Sequence, residues 1–179
     1  LYPMYAVNRR DERREDILEE LVDKYQFVIK EIKDFTDFEK VNKFLEGTGS
    51  MILDRENKFC YAAISIRTDE QAVFQFCDEF SYKPICFTAY QDVNNQRLPI
   101  YHTNVMMCIA NNFALICIDT IDNVKEREIV LKQLKLSGKE IIEISEEQKN
   151  RFAGNMLQVM GDQEYLVMST SAYNSLTNF

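Results

Sequence analysis

The chain has 179 residues, of which 46% are hydrophobic and 28% charged, a balance typical of a globular protein with one or two domains. Its formal net charge of −8 argues against a nucleic-acid or anionic-membrane partner, because both carry negative charge themselves. No stretch approaches the roughly 20 apolar residues of a transmembrane helix, so we expect no membrane partner and a cytoplasmic location.

The first part of the chain predicts a strand, a helix and a second strand. Residues 1–7 are mostly apolar and indicate a strand, residues 13–25 indicate a helix, and residues 27–32 indicate a closing strand. Compared with the segments that follow, this part lacks an opening strand. We therefore expect an incomplete first unit at about residues 1–33.

The next segment predicts a β-hairpin, a helix and a closing strand. Apolar runs at residues 50–54 and 59–65 flank a polar Arg-Glu-Asn-Lys turn, which is typical of a hairpin. Thr-Asp-Glu at residues 68–70 can cap a helix, and an apolar run at residues 84–89 follows it. This order predicts a complete ββαβ unit at about residues 46–90.

The same order of elements recurs twice more. A hairpin at residues 105–118, a capped helix and a strand at residues 140–144 predict a unit at about residues 102–145. A hairpin at residues 155–169, followed by a Ser-Thr-Ser helix start, predicts a last unit at about residues 154–179. The hairpins begin about fifty residues apart, a period found in repeat architectures.

We therefore interpret residues 1–179 as a single α/β domain built from repeated ββαβ units. The alternative is an open α+β domain whose units are similar by coincidence. The first unit lacks its opening strand and the last stops within its helix. We therefore expect the chain to be a fragment, or the ordered part of a longer protein, truncated at both ends.

The five cysteines are scattered along the chain, without Cys-x-x-Cys spacing, and the sequence contains one histidine. A zinc site built from cysteine and histidine is therefore not expected, and we predict neither a metal nor another cofactor. We interpret the cysteines as buried free thiols in a reducing compartment.

The single histidine, His102, and the acid Glu46 each lie a few residues ahead of a predicted hairpin. Equivalent positions in a ring of repeats converge on its axis, so both side chains can face one central site. Histidine suits proton transfer because its ordinary pKa is about 6.5. Taken singly, Glu46 could instead cap the turn at Gly47 and Gly49, and His102 could bind a backbone carbonyl.

Four short motifs follow one another along the chain. They are Asn-Arg-Arg at residues 8–10, Leu-Glu-Gly at 45–47, Arg-Thr at 67–68 and His-x-Asn at 102–104. In order and spacing they resemble the guanidino-group-modifying superfamily of pentein fold, which includes arginine deiminases, amidinotransferases and dimethylarginine dimethylaminohydrolases. The similarity covers nearly the whole chain and is greatest to the arginine deiminase-related branch that includes citrulline-utilisation hydrolases.

The resemblance implies a pentein propeller of five ββαβ units, of which this chain would hold about three and a half. It also implies hydrolysis of a guanidino or ureido C–N bond through a covalent cysteine intermediate. Glu46 would orient the substrate nitrogens and His102 would act as general acid and base. Arg67 and Asn104 would bind the substrate, with Arg67 taking its carboxylate. Arg67 could instead be a surface arginine beside a helix start.

The sequence departs from the family pattern at the nucleophile. In the family this cysteine lies near the C-terminus in a glycine-rich stretch, and none of the five cysteines here has that setting. We therefore expect the nucleophile outside this chain, and the 179 residues alone to be inactive.

Two further departures concern the substrate. Asn104 stands where deiminases carry an aspartate, and Thr48-Gly49 replaces their Gly-Asp. Each change removes a carboxylate that would bind a cationic guanidinium, so we expect a neutral ureido group such as that of citrulline to be favoured over arginine. The expected partner is a small-molecule amino acid, and the protein could form a homodimer. The alternatives are an amidinotransferase and a non-catalytic pentein binding protein.

Overall fold

A computed structural model describes residues 1–176 of the chain. The α-helices are α1 (Glu15–Asp23), α2 (Glu70–Phe80), α3 (Val124–Leu136), α4 (Glu146–Asn150) and α5 (Thr170–Leu176). The strands are β1 (Ile52–Asp54), β2 (Phe59–Ala63), β3 (Lys83–Phe87), β4 (Tyr90–Val93), β5 (Gln96–Pro99), β6 (Met107–Ile109), β7 (Phe113–Ile116), β8 (Glu140–Glu143), β9 (Leu157–Met160) and β10 (Glu164–Val167). Short 3₁₀ helices occupy Val7–Glu12, Thr36–Val41, Thr103–Val105 and Ile118–Thr120. Within the described range, no helix combines the length and apolar character needed to cross a membrane.

Two three-stranded sheets share one topology. In the first sheet β1 is antiparallel to β2, and β2 is parallel to β3. In the second sheet β6, β7 and β8 have the same relations. Helices α2 and α3 form the crossovers, because a parallel neighbour cannot be reached through a tight turn. The predicted ββαβ order is confirmed for these two segments.

Both crossover helices begin at a side chain that caps them. Asp69 accepts hydrogen bonds from the backbone N–H groups of Gln71 and Ala72, at 3.0 and 3.2 Å. Asn123 accepts the N–H of Lys125 at 3.0 Å in the same way. These oxygens satisfy backbone donors that the first helical turn leaves unpaired. The local sequence therefore sets where each helix starts and how it returns to its sheet.

The prediction of two strands in the first unit is wrong. Residues 1–7 and 27–32 form none, and helix α1 ends before residue 25. A strand requires a hydrogen-bonded neighbour, and two isolated strands are marginal in water. Residues 27–32 lie largely in solvent, with Val28 84% exposed. Their apolar character therefore did not lead to pairing.

Residues 1–5 are held by single hydrogen bonds instead of a strand ladder. The N–H of Phe35 donates to the carbonyl of Leu1 at 3.0 Å, and the N–H of Leu45 donates to the carbonyl of Pro3 at 3.0 Å. This places the N-terminal segment directly beside residue 46.

A hairpin of β4 and β5 follows the first sheet and was not predicted. Its turn residues Asn94 and Asn95 have φ angles of 50° and 61°. Asparagine tolerates this left-handed region, and two such residues form the turn that fits a two-residue hairpin. The short helix α4 was not predicted either.

The last hairpin forms as predicted. Strands β9 and β10 are antiparallel, with Leu157 opposite Val167. Helix α5 begins at Thr170, within the predicted Ser-Thr-Ser start. The end of the predicted last unit, residues 177–179, lies outside the described residues.

The loop before β9 packs closely against the 3₁₀ helix at Thr103–Val105. A Cβ atom on Gly154 would lie 2.5 Å from the carbonyl oxygen of Val105 and 2.8 Å from the carbonyl carbon of Met106. Real side chains do not approach backbone this closely, so this contact requires glycine. The loop therefore supports the segment that directly follows His102.

Candidate active site

The structure brings Glu46 and His102 into direct contact. The Nε2 atom of His102 lies 2.7 Å from the Oε2 atom of Glu46. The imidazole is 12% exposed and the carboxylate 1% exposed. Because the pair lies largely away from water, its electrostatic interaction is stronger than that of a surface pair.

Glu46 is positioned by the turn that leads into β1. Gly47 has a φ of +60°, which a residue with a side chain rarely adopts. The N–H of Met51 donates to the carbonyl of Gly47 at 3.0 Å, and the N–H of Glu46 donates to the Ser50 hydroxyl at 2.9 Å. Ser50 in turn donates to the carbonyl of Arg67 at 2.8 Å. The turn is therefore tied to the segment that carries Arg67.

His102 precedes the 3₁₀ helix at Thr103–Val105, and this segment is tied to the same turn. The N–H of Asn104 donates to the carbonyl of Gly49 at 3.1 Å. The Thr103 hydroxyl accepts the N–H of Ala63 at 2.8 Å and donates to the carbonyl of Ser50. Backbone bonds between the two segments therefore fix the distance between the acid and the histidine.

The Glu46 carboxylate is surrounded by donors from the protein itself. Its Oε1 atom accepts the N–H of Tyr5 at 3.0 Å. Its Oε2 atom lies 3.4 Å from Nη1 of Arg9 and 3.7 Å from Nη1 of Arg67, in addition to His102. A buried carboxylate needs such partners, because burial without them is costly. Both oxygens are therefore engaged by this chain.

Burial lowers the pKa of His102 below its ordinary value, because it disfavours the charged ring. Glu46 opposes this shift, and the charges of Arg67 and Arg9 add to it. The neutral imidazole is thus favoured near pH 7. Because a carboxylate can only accept, the ring proton lies on Nε2 and the Nδ1 atom keeps a free electron pair.

The Nδ1 edge of the ring faces Gly49. A Cβ atom at residue 49 would lie 3.0 Å from both Nδ1 and Cε1 of His102, and 3.3 Å from the carbonyl oxygen of Glu46. The missing side chain therefore leaves space beside the nitrogen that can accept a proton.

Arg67 joins the pair, whereas Asn104 does not. The Arg67 guanidinium lies beside Glu46 and against the rings of Tyr5 and Tyr101. The Asn104 side chain lines a cavity of about 430 Å³, together with Thr48. Among residues 1–176, no hydrogen bond links this side chain to Glu46, His102 or Arg67.

Three neighbours of the site were not predicted from sequence as site residues: Tyr5, Arg9 and Gly49. Arg9 was part of the Asn-Arg-Arg motif, but nothing local indicates that it reaches Glu46. In the described part of the chain, no cluster of three or more His, Cys, Asp or Glu residues is suited to a metal ion.

The cysteines lie in apolar surroundings. Burial raises the pKa of Cys86 to about 12 and the pKa of Cys108 and Cys117 to about 11. Cys60 also has a raised pKa, through its hydrogen bond with Cys77 and through burial. The same bond lowers the pKa of Cys77, but that residue is 2% exposed and packs within an apolar cluster. None of these thiols therefore resembles an accessible nucleophile.

We expect His102 to make the protein less stable as the pH falls below about 6.5. At pH values between the lowered pKa of His102 in the folded protein and its ordinary pKa, His102 is protonated in the unfolded chain but not in the folded chain. The free energy of unfolding therefore rises with pH through this window. Urea denaturation should show that the free energy of unfolding changes less between about pH 5 and about pH 7.5 in His102→Gln than in the wild type.

The same shift can be measured directly, since the chain has one histidine and its Hε1 resonance needs no assignment. An NMR titration should give a midpoint below about 6.5, and a midpoint above that value would contradict the expectation.

Comparison with known proteins gives one family and several related structures. The profile described as "N,N dimethylarginine dimethylhydrolase, eukaryotic" matches residues 1–179. Apo ArgZ, an arginine dihydrolase from the ornithine–ammonia cycle in cyanobacteria, superimposes with a TM-score of 0.63 at 16% identity, covering 99% of this chain and 26% of ArgZ. No curated protein matches the chain at a significant level of sequence similarity.

Two related complexes superimpose similarly. The N-terminal domain of ArgZ bound to substrate gives a TM-score of 0.61 at 15% identity, covering 99% of this chain and 59% of that domain. A binary complex of an AgrE mutant with L-arginine gives 0.62 at 20% identity, covering 99% of this chain and 24% of AgrE. These likenesses show the α/β pentein fold. The chain thus spans less than two thirds of each of these proteins.

Proposed function

Because the chain belongs to the eukaryotic N,N dimethylarginine dimethylhydrolase family, we propose that it is part of a hydrolase acting on the guanidino or ureido C–N bond of an arginine-like amino acid. The observation that carries the proposal is the buried contact of 2.7 Å between Glu46 and His102. Such a pair can hold a proton acceptor in one orientation near neutral pH.

In this proposal His102 moves protons through its Nδ1 atom. His102 first takes the proton of the cysteine thiol, the thiolate attacks the central carbon of the substrate group, and His102 gives this proton to the departing nitrogen as the C–N bond breaks. His102 then takes a proton from water as the water attacks the same carbon, and it returns this proton to the cysteine thiolate that is released. Glu46 accepts a hydrogen bond from the Nε2–H group of His102 throughout and stabilises the imidazolium when it forms.

The role of Glu46 toward the substrate is narrower than the resemblance implied. Both of its oxygens already contact protein donors, so orienting substrate nitrogens would require Arg9 to move aside. We propose that Glu46 acts first on His102. Arg67 would bind the substrate carboxylate, and Asn104 would contact the substrate through the cavity that it lines.

The nucleophilic cysteine is proposed to lie outside residues 1–179. The five internal thiols are poorly suited to the role, since four have a raised pKa and Cys77 is buried. We therefore expect the 179-residue chain to bind substrate without turnover, and a longer natural protein that includes the cysteine to hydrolyse it.

The charges around the site favour a neutral substrate head group. Arg9 and Arg67 place two positive charges beside the single negative charge of Glu46. Asn104 and Thr48 add no carboxylate to the cavity that they line, and the two carboxylates that also line it, Asp54 and Glu56, each lie 3.8 Å from Nζ of Lys139. A third cation is disfavoured there, so we propose a preference for citrulline over arginine. The family description provides the second candidate, dimethylarginine.

The natural-length protein should be assayed with citrulline, arginine and dimethylarginine, with His102→Gln as the inactive control. We expect citrulline to give the highest kcat/KM, by about tenfold or more, since unequal charge pairing at a buried site is worth at least about 1.4 kcal/mol. A higher value for arginine or dimethylarginine would disprove the substrate assignment. Capture of the carbon by added glycine would indicate an amidinotransferase, and no turnover of any substrate would favour a non-catalytic binding protein.

The domain organisation is proposed on the same basis. Residues 1–179 would form a single, incomplete pentein domain with units at about 1–33, 46–90, 102–145 and 154–179. The citrulline-utilisation branch, a homodimer and a cytoplasmic location stay predictions.

A further inference from the structure

The Arg67 guanidinium lies against two tyrosine rings at the outer side of the site. Its Cζ atom lies 5.3 Å from the ring centre of Tyr101 and 5.8 Å from that of Tyr5. Both distances fall within the roughly 6 Å over which a cation is attracted to an aromatic face. The rings therefore restrict the plane in which the guanidinium can lie.

Both tyrosines are themselves held in place. The Tyr101 ring lies 5.1 Å from the ring of His102, and the Tyr5 ring packs edge-on against Phe44 at 5.3 Å. Ser65 connects the backbones, because its hydroxyl accepts the N–H of Arg67 at 3.1 Å and donates to the carbonyl of Tyr101 at 2.9 Å. The arrangement is thus more than a chance surface contact.

Arg67 keeps donors available for a ligand. A guanidinium has five N–H donors, and the Nη1 atom of Arg67 lies 3.7 Å from the Oε2 atom of Glu46. Within the described residues, no other carboxylate lies within salt-bridge distance of it, and its side chain is 30% exposed. A flat guanidinium with a free edge is the geometry that binds a carboxylate through two parallel hydrogen bonds.

We infer that Tyr5 and Tyr101 are positioning residues that hold Arg67 for the substrate's α-carboxylate, and so set the preference for an α-amino acid over its decarboxylated analogue. The inference rests on the proposed function. It adds two residues that act through Arg67 and touch no reacting atom.

Binding of arginine and of agmatine, its decarboxylated analogue, to the 179-residue chain tests the inference by isothermal titration calorimetry. Both ligands carry the same guanidinium, so the ratio of the Kd of agmatine to the Kd of arginine measures the contribution of the α-carboxylate to binding. The wild type should bind arginine about 10- to 100-fold more tightly, as expected for a charged, two-point hydrogen bond. Tyr101→Leu should lower this ratio about threefold. The double variant Tyr5→Leu/Tyr101→Leu should lower it about tenfold, and the Kd of agmatine should stay constant in both variants.

The controls separate the ring from the hydroxyl group and from general surface changes. Tyr101→Phe keeps the aromatic face and should keep the wild-type ratio. Tyr173→Leu removes a tyrosine that is 61% exposed on α5 and should also leave the ratio unchanged. Thermal melting should show that the leucine variants are folded.

The outcomes distinguish the inference from the proposed function. An unchanged ratio in Tyr5→Leu/Tyr101→Leu would overturn the inference alone, because the site would still bind the amino acid. A wild-type chain that binds neither arginine nor citrulline would overturn the proposed function, and the inference with it.

Discussion

Replacing Glu46 with glutamine should lower the kcat/KM of the natural-length protein by about 100- to 10,000-fold, the range typical of losing general acid–base catalysis. The glutamine has the same shape, but it no longer carries the charge that fixes the Nε2 proton of His102 and stabilises the imidazolium. In the same variant, an NMR titration should show a further lowered pKa of His102, because the carboxylate that raises it, Glu46, is gone.

Glu39 provides a matched control. Its carboxylate accepts the N–H of Met4 at 2.7 Å and pairs with Arg10 and Arg13, much as Glu46 accepts the N–H of Tyr5 and pairs with arginines. Glu39 has no contact with His102 among the described residues. Glu39→Gln should therefore leave turnover and the pKa of His102 unchanged. Equal losses of activity in the two variants would indicate a structural role for both acids.

The largest expected effect on stability comes from Gly154→Ala. The added Cβ would meet the carbonyl oxygen of Val105 at 2.5 Å, and backbone cannot move aside as a side chain can. We expect the free energy of unfolding, measured by urea denaturation, to fall by about 3 kcal/mol. The displaced segment directly follows His102, so activity should fall as well.

Gly161→Ala is the comparison for this variant. A Cβ at residue 161 would lie 3.2 Å from Cε2 of Tyr165, the outer part of a side chain that can shift. Gly161→Ala should lower the free energy of unfolding by less than about 1 kcal/mol. If both substitutions cost the same, close packing at Gly154 would not be the reason for the glycine.

The parts of the fold that sequence predicted are those in which local signals and tertiary pairing agree. The hairpins have polar turns between apolar runs, and Asp69 caps its helix within the predicted Thr-Asp-Glu sequence. Residues 27–32 have the same apolar character, but pairing decides whether a strand forms, and no single segment encodes its partner. The β4–β5 hairpin was not predicted because its strands have four residues each and half of these residues are polar.

The candidate site was predictable to a similar degree. Glu46 and His102 could be paired because both precede hairpins of the same kind. Contacts of Glu46 with Tyr5 and Arg9 could not be predicted, since they join distant parts of the chain across a segment without regular pairing. Asn104 lies in a 3₁₀ helix two residues after His102, and this spacing does not reveal that its side chain stays apart from the pair.

The irregular attachment of residues 1–5 also determines how the buried acid can become accessible. Segments held by a few individual bonds open locally at a lower free-energy cost than paired sheets, and their amide hydrogens exchange faster. Tyr5 and Arg9 both bind Glu46, so detachment of residues 1–9 would uncover the carboxylate while β1, β2 and β3 remain paired. We therefore expect solvent access to Glu46 to follow local opening of the N-terminal segment and not global unfolding.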